Sequence, residues 1–144
     1  MPISRFLVAA TFVFALNASA FADEALPPIK VRHEGDINYV YGGMDELERK
    51  ALGKLAERYQ MQLSFSRAGS SEKVTGVKVT LIDYKGDRAL EKVVDGPIFF
   101  ANLPAGRWTV KAELDGETYD KTMDVNGRFY ITLAVQFKGG AQGK

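Results

Sequence analysis

The side chains that could carry out nucleophilic or acid–base chemistry are few in this sequence. Among its 144 residues there is one histidine, His33, and no cysteine. Thiol catalysis and thiolate metal sites are therefore excluded, and a Ser-His-Asp triad could use only His33 as its base. No G-x-S-x-G turn or comparable nucleophile motif accompanies that histidine. The sequence predicts no catalytic residue, and we expect that the protein is not an enzyme.

Two short stretches have residue types that could hold a metal ion or a phosphate. His33, Glu34 and Asp36 lie close together in the chain, but no distant fourth ligand completes a metal site, so a solvated loop is the simpler interpretation. Gly42-Gly43 precedes a predicted helix, whose N-terminus could attract an anion. The next residues include the carboxylates of Asp45-Glu46, which would repel a phosphate. We therefore expect a tight turn at this point, and neither a metal nor a cofactor.

Aromatic side chains offer the other possible binding chemistry, because they form platforms for sugars and peptides. The only tryptophan, Trp108, has the same strand parity as Val110, which predicts that it lies in the core. The tyrosines that we predict at the surface, where they could bind a glycan or a protein, are Tyr39, Tyr41, Tyr84 and Tyr130.

The N-terminal 22 residues are typical of a cleavable secretory signal. Arg5 is followed by an apolar run at 6–16 and then by small residues, with cleavage possible after Ala20 or Ala22, the latter favoured. Removal of Arg5 changes 19 basic and 18 acidic residues to 18 of each, which leaves no basic excess to attract nucleic acid. Hydrophobic residues make up 46% of the chain, as in a globular domain with a core, and no later run is long enough to span a membrane.

The elements that must position these side chains begin with an extended lead at 23–36. A short strand and an amphipathic helix follow within 37–60. The predicted apolar stripe of that helix comprises Met44, Leu47, Ala51, Leu55 and Tyr59. Gly53 lowers helix propensity and suggests close contact with a neighbouring element.

From 61 to 137 the hydrophobic period changes to two, with Gly, Asp and Asn at turns about every ten residues. Asp115-Gly116 predicts a hairpin, and Asn126-Gly127 lies between the last two predicted strands, Glu117–Val125 and Phe129–Phe137. This pattern predicts a mainly β fold, an antiparallel β-sandwich of seven to eight strands with the helix on its N-terminal side. Lys121 has the parity of the apolar positions in Glu117–Val125, and an inward lysine predicts an edge strand. We expect 138–144, which is rich in glycine, to form a flexible tail.

The run 95–110 contains two predicted strands and a tight corner between them. Its residues Phe100, Leu103, Pro104, Gly106, Trp108 and Val110 form the pattern F-x-x-L-P-x-G-x-W-x-V. The pattern resembles that of carboxypeptidase regulatory-like domains, which have a transthyretin-like β-sandwich, and the resemblance covers about 74–135. The order of signal, Gly-Gly-led helix and β-domain is similar to that of small proteobacterial periplasmic proteins. The resemblance implies a periplasmic location.

We expect a periplasmic binding or interaction module that binds a cell-envelope protein, with strand addition at an unprotected edge as one available mode. One alternative is a glycan or small-ligand binding protein that uses Tyr39, Tyr41 and Tyr130 at its surface. Another is a small enzyme, as some transthyretin-like proteins are.

Overall fold

A computed structural model describes residues 25–69, 72 and 74–138. The predicted signal at 1–22 and the tail beyond Lys138 lie outside this part of the chain. The described elements are β1 (Arg32–Glu34), β2 (Ile37–Gly42), α1 (Glu46–Leu55), β3 (Met61–Arg67), β4 (Val77–Ile82), β5 (Arg88–Val94), β6 (Ile98–Asn102), β7 (Gly106–Leu114), β8 (Glu117–Val125) and β9 (Ile131–Phe137). A 3-10 turn, Ala56–Arg58, follows α1 directly.

The strands form two sheets, in the orders β1-β2-β6-β3-β9 and β5-β4-β7-β8. Every pair is antiparallel except β3 and β9, which run parallel with Met61 opposite Ile131. The expected mainly β class is confirmed. The prediction that Glu117–Val125 is an edge strand is also confirmed, because β8 pairs only with β7 among the described strands.

The count of seven to eight strands is too low, since the described residues contain nine. The additional strand is β1, which lies in the predicted extended lead. Gly35, with φ of +58°, closes a two-residue turn that pairs Glu34 with Ile37. A strand of three residues has too few positions for its alternation to be recognised. The β-domain therefore begins before residue 61, because β2 also pairs with β6 in the central part of a sheet.

The two sheets face each other across one hydrophobic core. Buried side chains from both sheets meet there, including Leu63 and Phe99 from one sheet and Val79 and Val110 from the other. Trp108 joins this core with 6% of its surface exposed, as predicted. Burial of these apolar side chains supplies the main stabilisation of the fold.

The helix α1 packs on the outer face of the five-stranded sheet. Leu52 and Tyr59 contact Val40 and Phe100 there in a second buried cluster. Asp45 caps the helix, with its carboxylate oxygen accepting a hydrogen bond of 2.8 Å from the Glu48 amide.

The predicted apolar stripe of the helix is partly wrong. Met44 precedes the helix, and both Met44 and Leu47 are exposed. The predicted close contact at Gly53 is also wrong, because no neighbouring atom lies within 4 Å of the position that a Cβ would take.

No helix in the described part of the chain is long and apolar enough to cross a membrane.

Candidate functional site

The residues with possible catalytic or metal chemistry lie on the exposed β1–β2 hairpin. His33 Nδ1 is 2.6 Å from Asn38 Oδ1, its cross-strand neighbour. Glu34 and Asp36 are exposed on either side of the turn at Gly35. Within the described ranges, no three His, Cys, Asp or Glu side chains are arranged to hold a metal ion.

The Gly42-Gly43 turn is closed by a carboxylate of the same chain. The Gly43 amide donates a hydrogen bond to Glu48 Oε1, and Arg49 donates one of 3.1 Å to the Gly43 carbonyl oxygen. The side chain of Glu48 therefore occupies the position that an anion at this turn would need. This arrangement agrees with the predicted tight turn between strand and helix.

The three tyrosines predicted as a binding surface do not form one. Tyr39 is buried, 4% exposed, and stacks on Phe99 in the core, so its prediction as a surface residue is wrong. Burial raises the pKa of its phenol, and the nearby Glu34 carboxylate adds to this effect. Tyr41 is half-buried, with the Arg32 guanidinium 4.8 Å from its ring centroid. Strand alternation turns both tyrosines of β2 toward the core, which leaves Tyr130 as the exposed member of the set.

Tyr130 lies just before β9 and is 59% exposed. Its hydroxyl donates a hydrogen bond of 2.7 Å to the Glu57 carbonyl oxygen, which fixes the ring against the segment after the helix. A cavity of about 280 Å³ adjoins it, lined in part by Gln60, Asn102 and Phe129. An exposed aromatic pair and a cavity therefore lie at the start of the last strand.

A larger cleft lies at one end of the two sheets, where three connections meet. Its volume is about 350 Å³, and it is lined by the β1–β2 turn, the β4–β5 turn and the corner at Pro104. Trp108 forms part of its wall and donates a hydrogen bond of 2.8 Å from Nε1 to the Pro104 carbonyl oxygen. Tyr84, 74% exposed, lies at this cleft.

The sheet edges differ in a way that bears directly on binding. Among the described strands, three of the four outer ones carry charged residues that discourage pairing with another chain. These are Arg32 and Glu34 in β1, Arg88, Glu91 and Lys92 in β5, and Glu117, Asp120, Lys121 and Asp124 in β8. The fourth, β9, reads Ile-Thr-Leu-Ala-Val-Gln-Phe and contains neither a charge nor a proline over seven residues.

The backbone of β9 has a regular set of hydrogen-bonding groups that face no other strand among the described residues. The Ile131 amide donates to the Gln60 carbonyl oxygen at 2.7 Å, and the Phe137 carbonyl oxygen accepts from the Ala68 amide at 2.7 Å. Backbone groups of successive strand residues point in opposite directions. The odd-numbered residues of β9 therefore pair with β3, and the amides and carbonyls of Thr132, Ala134 and Gln136 point to the open side.

The side chains of β9 fix the strand in place without a partner. Val135 and Phe137 are buried in the core, while Ile131 and Leu133 are half-buried at its margin. The side chains between them are exposed on the opposite face. The open edge is thus preformed, and it has an apolar margin that a further strand could cover.

The residues of β9 were not predicted from the sequence as a binding site. A signal was present in the sequence, because 129–137 is the longest predicted strand without a charged residue. The pattern did not reveal that this strand lies at an edge.

Comparison of the chain with protein-family models and with curated proteins finds no match.

Proposed function

We propose that this chain is a secreted periplasmic binding module, without catalytic activity of its own, that binds a cell-envelope protein by strand addition at β9. The observation that carries the proposal is the uncharged open edge at Thr132, Ala134 and Gln136. An added strand gains affinity from main-chain hydrogen bonds and specificity from its alternate side chains. The leader-like sequence at 1–22 supports export, and the corner motif supports a β-sandwich of the transthyretin type.

The charges on the other three edges support β9 as the binding edge. An extended partner segment that pairs with β5 or β8 would meet charged side chains along the strand, whereas β9 presents none. The partner segment should itself be apolar at alternate positions, because one of its faces would lie beside Ile131 and Leu133. Covering these half-buried side chains adds hydrophobic stabilisation to the backbone pairing.

Site-specific photocrosslinking in cells tests the proposal. A photoreactive amino acid replaces Ala134 in the full chain, where its side chain points out of the sheet and leaves the backbone edge free. Thr118, an exposed position on the charged edge strand β8, is the matched control. We expect an adduct with an envelope protein from position 134 and little from position 118.

A proline substitution provides the second arm of the test. Ala134→Pro removes an outward-facing amide and is compatible with an edge position, so the fold should persist while binding falls. Thr118→Pro is the control on the other sheet. Equal adduct yields from positions 134 and 118, or unchanged partner capture by Ala134→Pro, would refute strand addition at β9.

The cleft at the end of the sheets favours a second candidate function, the binding of a glycan or another small ligand. Tyr84 provides exposed aromatic surface there, and the largely buried Trp108 forms part of the wall, beside the polar side chains of the turns. Calorimetric titration with envelope glycans tests this function. Tyr84→Ala should weaken any binding that is observed, whereas Tyr130→Ala, outside the cleft, should not.

A further inference from the structure

The open edge of β9 is complementary to itself. In an antiparallel pair, the residues whose backbone groups face the neighbouring strand lie opposite one another and exchange two hydrogen bonds. The facing residues of β9 are Thr132, Ala134 and Gln136, which are spaced symmetrically about the middle one. A twofold axis through Ala134 would therefore place Ala134 opposite Ala134 of a second copy, and Thr132 opposite its Gln136.

This register uses all the open backbone groups of the strand. Three facing pairs with two hydrogen bonds each give six bonds, which satisfy the amides and carbonyls of the three residues in both copies. If the axis is moved to Leu133 or Thr132, some of these groups face residues outside β9. The register centred on Ala134 is therefore the one that leaves no open group of Thr132, Ala134 or Gln136 unpaired.

The side chains are compatible with the same register. Opposite residues of an antiparallel pair lie on the same face of the sheet. Ile131 would lie opposite Phe137 and Leu133 opposite Val135, which covers the half-buried pair at the margin of the core. The strand contains no charged residue, so no like charges meet.

The other outer strands do not allow this symmetric pairing. A twofold axis at Lys121, the central residue of β8, places this lysine opposite its own copy, and β1 has only three residues. In β5 the adjacent Glu91 and Lys92 interrupt the apolar pattern. Self-complementarity is therefore a particular property of β9 among the described edges.

We propose that β9 pairs with β9 of a second copy of this chain about a twofold axis at Ala134, and that this homodimer covers the edge until a partner strand displaces it. The inference rests on the proposed function, because both use the same backbone groups. It also implies that the site is regulated. The dimer must dissociate before the chain can bind the partner, because both interactions use the edge of β9. Partner affinity should then fall as the concentration of the chain rises.

Cysteine scanning tests the register directly, because the chain contains no cysteine. Opposite residues of a hydrogen-bonded pair have Cα atoms about 5.5 Å apart, within the disulfide range of roughly 4.4 to 6.8 Å. Under mild oxidation Ala134→Cys should form a covalent dimer. Thr118→Cys, an exposed control on β8, should form several-fold less.

A mixing experiment makes the test specific for the register. Thr132→Cys and Gln136→Cys should each remain largely unlinked alone, because each cysteine lies about 13 Å along the strand from its own copy. Their mixture should link, because position 132 lies opposite position 136. Linkage of either variant alone as readily as in the mixture would overturn the register.

Sedimentation of the mature wild-type chain across a concentration series completes the test. We expect a monomer–dimer equilibrium, with roughly tenfold weaker association in Ala134→Lys because two ammonium groups then face each other. Thr118→Lys should associate as the wild type does. A purely monomeric wild-type chain, or a dimer that Ala134→Cys does not link covalently, would overturn the inference.

The two proposals fail in different ways. A monomeric chain that still gives an envelope-protein adduct from position 134 overturns self-pairing and leaves strand addition intact. A covalent dimer of Ala134→Cys without any such adduct supports self-pairing and contradicts the proposed partner. Absence of both results overturns both proposals.

Discussion

Substitution of Asn102 by alanine should loosen the start of the β9 edge. Asn102 Oδ1 accepts a hydrogen bond of 2.9 Å from the Gln60 amide, and its Nδ2 donates one of 2.8 Å to the Arg58 carbonyl oxygen. The Gln60 carbonyl oxygen in turn accepts the 2.7 Å hydrogen bond from the Ile131 amide. One side chain in β6 therefore holds the backbone of Gln60, the residue at which the pairing of β9 begins.

The magnitude follows from these two hydrogen bonds. A net contribution of about 0.5 to 1.5 kcal/mol each, lower for the exposed bond to Arg58, gives a loss of roughly 1 to 2 kcal/mol in the free energy of unfolding. For a chain of this size the melting temperature should fall by about 3 to 8 °C. Truncation also releases the Gln60 amide and loosens the backbone of this residue, so the Ile131 amide bonded to its carbonyl oxygen should exchange with solvent faster.

Denaturant unfolding and hydrogen exchange of Asn102→Ala measure the two effects. Asn38→Ala is the matched control, because Asn38 lies opposite Asn102 in β2 but its side chain is hydrogen-bonded to the exposed His33 ring and not to the backbone of Gln60 or Arg58. We expect the control to change stability by less than about 0.5 kcal/mol. Equal losses in the two variants, or unchanged exchange at Ile131 in Asn102→Ala, would contradict the reasoning.

Three further substitutions test the packing. Gly96→Ala should destabilise by about 3 kcal/mol in denaturant unfolding, because Gly96 has φ of +154° and its added Cβ would lie 2.3 Å from the Gly42 carbonyl oxygen. Gly53→Ala should instead stabilise by up to about 1 kcal/mol, since the added methyl meets no neighbour and alanine favours the helix. Burial raises the pKa of the Tyr59 phenol above its ordinary 10.0, so the folded state keeps this proton longer than the unfolded state. That contribution to stability is complete below pH 10.0 and is lost as pH rises through the folded-state pKa. In alkaline melting curves, Tyr59→Phe should therefore lose less stability than the wild type.

Local patterns in the sequence predicted much of the fold because they arise from local physics. The two-residue period predicted strands at 61–66 and 77–82, which the structure has as Met61–Arg67 and Val77–Ile82. Asp115-Gly116 predicted a hairpin, and both residues have positive φ there, +50° and +85°. Trp108 was assigned to the core by its parity with Val110.

The order of strands could not be obtained in the same way. Alternation shows that one face is buried, but it does not show which neighbour a strand has. Asn126-Gly127 suggested a connection like that at Asp115-Gly116, yet it leads from β8 in one sheet to β9 in the other. The parallel pairing of β9 with β3 joins residues about seventy positions apart, which no local signal reports. The candidate site depends on this long-range pairing, and it was missed for that reason.

The prediction of surface tyrosines failed for a related reason. Tyr39 and Tyr41 are two residues apart in β2, so both rings must lie on the same face of the sheet. The sequence does not say which face, because β2 has apolar residues on both. Val40 contacts the helix cluster on one side, and Tyr39 contacts the core between the sheets on the other. Burial on both faces follows from the helix packing against this sheet, which strand alternation alone does not predict.

The residues that hold β9 in the fold are different from those that are available for binding. Val135 and Phe137 are anchored in the core, so the strand stays in place while its outer backbone groups remain open. Substitution of either residue would unfold the site and abolish binding without identifying the contact. Substitution at Ala134 changes an exposed side chain or the open edge and leaves the buried side chains of the strand in place. A loss of binding in Ala134→Pro with an unchanged unfolding transition therefore assigns the effect to the edge itself.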